Sequence, residues 1–177
     1  MTNANQLENS IVIEGQSTIT DTIVAPAGQP AIDIPGDNVQ LKIAPTADIS
    51  ALDEDNTAIQ SLGNNVSIVN SGTVSGDLNG IDSDGSDLQL DNRGTITSNS
   101  RAVQLDDGDG INLTNTGSIL GTGDQRNGTV YLDGSIDNAN ITNQNLIDAG
   151  KGNSGDGLST QVGIDEEDAL NQNINIV

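Results

Sequence analysis

The chain contains no cysteine, histidine, tryptophan or phenylalanine, and Tyr131 is its one aromatic residue. Without cysteine, neither disulfides nor a thiolate-bound metal can hold the fold together. Aromatic bulk dominates ordinary globular cores, so its lack favours small aliphatic side chains stacked in narrow layers. Cations are scarce as well: Lys42, Arg93, Arg101, Arg126 and Lys151 stand against 26 acidic residues, a net charge of −21. Nothing here neutralises phosphates, which excludes nucleic acid as a partner. So acidic a surface repels its own copies unless salt or divalent cations support association. A saline or calcium-rich extracellular setting suits it, and so does plain solubility. No stretch has the pattern of a signal peptide or a membrane span, so no membrane insertion is expected. A leader removed earlier, a C-terminal or non-standard export signal and a cytosolic location all stay open.

Glycine, Asn, Asp, Ser and Thr fill most of the chain. Such a composition also fits disorder, but Ile, Val and Leu recur at regular spacing and argue for a fold. The recurring unit is plain in Leu113-Thr114-Asn115-Thr116-Gly117-Ser118-Ile119. It is echoed by Leu90-Asp91-Asn92-Arg93-Gly94-Thr95-Ile96, by Ile68-Val69-Asn70-Ser71-Gly72-Thr73-Val74 and, more loosely, by Ile141-Thr142-Asn143-Gln144-Asn145-Leu146-Ile147. A period of about 20 to 30 residues is the signature of a solenoid. The unequal spacing of Asn70, Asn92, Asn115 and Asn143 places insertions at one site per turn, in Gly-rich loops at 76–79, 121–127 and 150–156.

Each turn reads as three short strands. The first holds Ile32/Ile34, Ile59/Ser61, Ile81/Ser83, Val103/Leu105 and Val130/Leu132. The second holds Leu41/Ile43, Val66/Ile68, Leu88/Leu90, Ile111/Leu113 and Ala139/Ile141. The third centres on Ile49, Val74, Ile96, Ile119 and Ile147. Residues two apart share a face, so each pair points inward. Asn70, Asn92, Asn115 and Asn143 are expected to stack in an inward-facing ladder. Gly72, Gly94, Gly117 and Asn145 would turn the next corner in a left-handed conformation. Pro45 and Ala47 replace Asn and Gly in an earlier turn, which is expected to bend differently and to lie outside the ladder. Residues 11–29, rich in β-branched side chains, are expected to form a first, irregular turn.

These residues give the chain a resemblance to the right-handed parallel β-helix family, in the Asn-x-Gly-x-Ile style of bacterial surface and autotransporter-passenger repeats. The resemblance covers roughly residues 30–177. It implies an all-β, right-handed parallel β-helix of about seven turns in a single domain over 1–177, with regular turns from residue 30. It also implies extracellular or cell-surface display, adhesion, possible contact with a surface glycan, or carbohydrate processing.

Acidic clusters are the candidates for chemistry. Asp82-Ser83-Asp84-Gly85-Ser86-Asp87 has the look of the start of a calcium loop, without the distal Glu of an EF-hand or the strict glycine repeat of a calcium-binding β-roll. The repeat register sets Asp84, Asp106 and Asp133 in one column of successive turns. Carboxylates separated by one strand spacing, about 4.8 Å, repel unless a cation or solvent intervenes. The column is therefore either a calcium site or a solvated edge that discourages lateral aggregation. Asp53-Glu54-Asp55 and Asp165-Glu166-Glu167-Asp168 read as solvated charge runs. An enzyme acting on acidic polysaccharide needs a basic groove and a general base. The scattered cations offer neither, and no enzymatic activity is expected. The Thr73-x-Ser75 and Thr95-x-Thr97 pairs suggest an ice-binding row, but Ser118-x-Leu120 and Leu146-x-Asp148 break it, and threonine favours strands in any case. Sequons at Asn65, Asn112, Asn127 and Asn140 are a weak signal in a chain this rich in Asn and Thr.

The segments at the two ends match complementary parts of the repeat. Ile174-Asn175-Ile176-Val177 matches Ile111-Asn112-Leu113-Thr114, and Thr2-Asn3-Ala4-Asn5-Gln6-Leu7 matches Thr114 to Ile119, so that Val177 and Thr2 fall on the same position. The expectation is a structural filament subunit that polymerises with itself head to tail. Residues 2–8 act as the N-terminal half-turn, and Thr2, Asn3, Asn5, Leu7, Ile174, Ile176 and Val177 form the joint. The alternatives are a length of a longer β-helix adhesin or passenger and, as a third reading, a glycan-active β-helix enzyme, which a basic groove or turnover of a polysaccharide would revive.

Overall fold

The computed structural model describes residues 10–53, 55–122, 129–148, 162–164 and 175–177, the backbone alone at 162–164. Its twenty strands build three parallel sheets, and no helix occurs among the described residues. The order within each sheet is that of a solenoid, since each strand from β1 to β17 pairs with the strand three places later in sequence. The first sheet runs β1 (Ile11–Val12), β4 (Ile32–Ile34), β7 (Ile59–Ser61), β10 (Asn79–Ser83), β13 (Arg101–Asp106), β16 (Val130–Asp133) and β19 (Val162–Ile164). The second runs β2 (Gln16–Ile19), β5 (Gln40–Ile43), β8 (Ser67–Asn70), β11 (Gln89–Asn92), β14 (Asn112–Asn115), β17 (Asn140–Asn143) and β20 (Asn175–Ile176). The third holds β3 (Ile23–Val24), β6 (Asp48–Ala51), β9 (Thr73–Gly76), β12 (Thr95–Ser98), β15 (Ser118–Gly121) and β18 (Leu146–Asp148).

The expected turn count of about seven is slightly high. Five regular turns run from β4 to β18; β1 and β3 are two-residue strands, and the set begun by β19 and β20 has no third strand among the described residues.

The register explains the composition. In the second sheet Leu41, Ile68, Leu90, Leu113, Ile141 and Ile176 stand one above another. In the third, Ile23, Ile49, Val74, Ile96, Ile119 and Ile147 do the same. A chain that meets its own copy at every turn packs best with one aliphatic shape repeated, and a large ring would force the neighbouring turns apart. The ladder forms as expected. Asn70 Nδ2 donates to Asn92 Oδ1 at 2.9 Å, Asn92 Nδ2 to Asn115 Oδ1 at 2.7 Å, and Asn115 Nδ2 to Asn143 Oδ1 at 2.8 Å. Each of these amides also donates to a carbonyl of the next turn, Thr95, Ser118 and Leu146 in order, so a buried row of polar groups is satisfied.

Three details differ from expectation. Gly72, Gly94, Gly117 and Asn145 are not left-handed. The glycines are there because the turns touch: a Cβ on Gly94 would lie 2.1 Å from the Gly72 carbonyl oxygen, and one on Gly117 2.1 Å from that of Gly94. The left-handed corner lies before the second sheet instead, where Asn38, Asn65, Asp87, Gly110 and Asn138 have φ of 60°, 55°, 59°, 70° and 57°. Asn and Asp are the non-glycine residues that tolerate this conformation best. At the foot of the ladder the residue beneath Asn70 is Ile43, not Pro45, because Ala44-Pro45-Thr46-Ala47 is a longer turn; Leu41 accordingly pairs with Ile68, not Val66. Insertions also occupy two sites per turn. Besides the loops after the third strand, the first corner lengthens from Ser83–Gln89 to Leu105–Asn112 and then Leu132–Asn140.

Asn92→Ala should cost about 2–4 kcal/mol in chemical denaturation, because it orphans buried partners on both sides. Asn143→Ala, at the more open end of the ladder, should cost less than half as much. Gly94→Ala should destabilise by about 1–3 kcal/mol through overpacking against backbone that cannot withdraw.

Candidate acidic site on the first sheet

The outer face of the first sheet carries two columns beyond the core. One runs Val12, Asp33, Gln60, Asp82, Gln104 and Tyr131. The other, one outward position further along, runs Pro35, Leu62, Asp84, Asp106 and Asp133, and so changes from apolar to acidic at β10. Strand alternation puts Asp82 and Asp84 on the same face, because buried Ser83 points inward between them.

Carboxylate oxygens of Asp82, Asp84 and Asp106 lie within 4.8 Å of one another. Asp133 pairs in register with Asp106, and together with Asp84, Asp107 and Gly134 these two line a surface depression of about 500 Å³. The predicted column Asp84, Asp106 and Asp133 is thus present as a column, while Asp82 is the residue that closes the tightest cluster. Asp82 was legible as part of an acidic run, but its mid-strand place beside Asp106 of the next turn follows only from the register.

Polar partners orient part of the group. Arg101 Nη1 donates to Gln104 Oε1 at 2.5 Å, and Gln104 Nε2 donates to Asp106 Oδ2 at 2.6 Å. The Arg101 guanidinium sits 4.3 Å from the centre of the Tyr131 ring, which spreads one positive charge along this face. One oxygen each of Asp82 and Asp106 is shielded from solvent and has no hydrogen-bond donor. Burial, followed by the charges of Asp106 and Asp84, pushes the Asp82 carboxyl up to about 6. Asp106 is raised by burial and by Asp133 and Asp84, against the opposing Gln104 hydrogen bond; Asp84 is raised by burial and by Asp107.

Such a group prefers protons or a hard cation to bare charge. Three to five carboxylates with open solvent access match the oxygen-rich, irregular coordination that calcium accepts. A raised carboxyl near an ionised one is also the outline of a glycosidase pair. Here, however, the sole aromatic ring is buried beneath Arg101 and gives a sugar no platform. Asp53 and Asp55 lie exposed in the loop between β6 and β7, where the Asp55 amide donates to Asp77 Oδ2 at 3.0 Å. Glu54, the run at 165–168, and Thr2, Asn3, Asn5, Leu7 and Ile174 of the predicted joint lie outside the described residues. Ile176 and Val177 are described, and both are exposed.

No protein-family model, no curated protein and no solved structure matches the chain. The coarse architecture, a parallel β-solenoid, therefore rests on the strand register, and no relative supplies a role for any residue.

With its pKa raised from 3.8 to about 6, Asp82 gives the native state a proton excess over the unfolded chain between those values. Its contribution is favourable on the acid side and is lost as pH rises through about 6. Thermal unfolding should therefore shift upward on going from pH 7 to pH 5. Asp82→Asn should raise stability at pH 7 by about 1 kcal/mol, after discounting for partial exposure, and flatten that pH dependence. Millimolar calcium at pH 7 should raise the melting temperature of the unmodified chain and leave the Asp84→Asn, Asp106→Asn double variant unchanged.

Proposed function

We propose that the chain is a structural, non-enzymatic β-solenoid subunit that stacks end to end with copies of itself into a filament at the cell surface or outside the cell. The observation that carries this reading is the state of the second-sheet column at its last member. Leu41, Ile68, Leu90, Leu113 and Ile141 are at most 2% exposed, whereas Ile176, next in the same column, is 50% exposed beside Val177 at 73%. Among the described residues no further strand lies on this column, and another strand in register would bury Ile176 and pair with β20 by strand addition.

The stacked contact would be heterologous, joining one end of the solenoid to the other, and such contacts propagate into fibres. The acidic outer face supports the same reading, because it resists lateral aggregation while leaving axial stacking open. Calcium at Asp82, Asp84 and Asp106 would lower the self-repulsion of a filament in a saline extracellular setting. In the other reading, a length of a longer surface-displayed solenoid of the autotransporter-passenger kind, further turns of one chain cover Ile176 and the isolated chain stays monomeric.

Electron microscopy in calcium-containing saline should show unbranched fibres with an axial repeat of about 34 Å, set by seven strand layers at about 4.8 Å each. Ile176→Asp should leave the circular dichroism spectrum unchanged and abolish the fibres. Monomers alone under those conditions would refute the proposal.

A further inference from the structure

The inward column at the end of the first sheet runs Ile34, Ser61, Ser83, Leu105 and Leu132, one above another in register. Every member is at most 2% exposed. Serine therefore occupies the core at two consecutive levels where the turns below and above place isoleucine and leucine. Neither Ser61 Oγ nor Ser83 Oγ has a hydrogen-bond partner among the described residues. Asn70 and Asn92, the inward amides of the same two turns, are committed to the ladder and to carbonyls of the next turn. A buried hydroxyl without a partner is costly, and this column holds a stacked pair.

Side-chain bulk is also short at the lower of the two levels. Serine is much smaller than isoleucine, and its neighbours in the turn do not make up the difference. Where the turn below has Val39 and Ile49, the turn of Ser61 has Val66 and Val74. One turn higher, Leu88 and Ile96 restore bulk beside Ser83. Interiors of native density do not leave such a level unfilled without loss of contact.

The spacing of the pair identifies what fills it. In the same rotamer the two oxygens lie about one strand spacing apart, roughly 4.8 Å, too far to bond each other. An oxygen about 2.8 Å from both sits about 1.4 Å off the line joining them, with an angle of about 118° between the two bonds. That is near the tetrahedral preference of water. We infer that Ser61 and Ser83 hold one buried water between them as a fixed part of the solenoid core. Each hydroxyl both donates and accepts, so the pair supplies the two polar partners that an internal water requires. An apolar guest would leave both hydroxyls unmet, and a cation would find no charge there. The site also accounts for the serines occurring together, since a lone serine stacked on leucine or isoleucine offers a water one anchor.

Oxygen-17 magnetic relaxation dispersion on the full chain tests this by counting long-lived internal waters. The Ser61→Val, Ser83→Val double variant, which returns the column to aliphatic side chains, should hold one fewer than the unmodified protein while keeping its circular dichroism spectrum. Ser61→Ala alone should lose the same water. An unchanged count in the folded double variant would overturn the site. A high-resolution crystal structure of the unmodified chain gives a reading that needs no variant. It should show one water within hydrogen-bonding distance of both Oγ atoms, and hydroxyls bonded instead to backbone carbonyls, with no water between them, would overturn it equally.

Discussion

Parallel stacking at a single strand spacing puts each residue directly beneath its own equivalent, and this constraint governs the molecule. A side chain at any position must suit a copy of itself about 4.8 Å away. Isoleucine, valine and leucine meet that condition by dispersion contact, and asparagine meets it because one amide carries both a donor and an acceptor. Glycine meets it where backbones touch, as at Gly63, whose Cβ would fall 1.9 Å from the Gly36 carbonyl oxygen. Aspartate fails the condition, and the acidic column is where the failure shows. Asp84, Asp106 and Asp133 occupy a place held by Pro35 and Leu62 in earlier turns.

The same constraint decides what could be read from the sequence. Inward columns were legible because like must stack on like, so Ile96, Ile119 and Ile147, or Asn92, Asn115 and Asn143, recur in recognisable form. The left-handed corner was missed because its requirement is conformational: Asn38, Asn65, Asp87, Gly110 and Asn138 share a backbone state and not a side chain. Glycines 72, 94 and 117 were found for the wrong reason, since crowding by a neighbouring turn leaves the same mark on the sequence as a positive φ. Asp82 illustrates a third limit. Its pairing with Gln104 and its nearness to Asp106 depend on which residues of adjacent turns face each other, and only the observed register supplies that.

The acidic face and the third sheet divide the surface between two electrostatic regimes. Along the first sheet, partial burial and mutual repulsion leave Asp82 holding its proton far more readily than a free aspartate does. The outward positions of the third sheet, Thr73 and Ser75, Thr95 and Thr97, Ser118 and Leu120, carry no charge. Repulsion is therefore distributed unevenly around the solenoid.

The amide ladder is polar along the axis. From Asn70 through Asn115 every Nδ2 donates toward the following turn and every receiving Oδ1 faces the turn before it. Asn143 is its donor end, and at its foot Asn70 Oδ1 is engaged by the Gly72 amide of its own turn. Beneath Asn70 the column continues as Ile43 and Ile19, so aliphatic stacking replaces the amide row there. The Gly72 amide thus satisfies an acceptor that no rung beneath it can reach, and a buried amide left unpaired is costly.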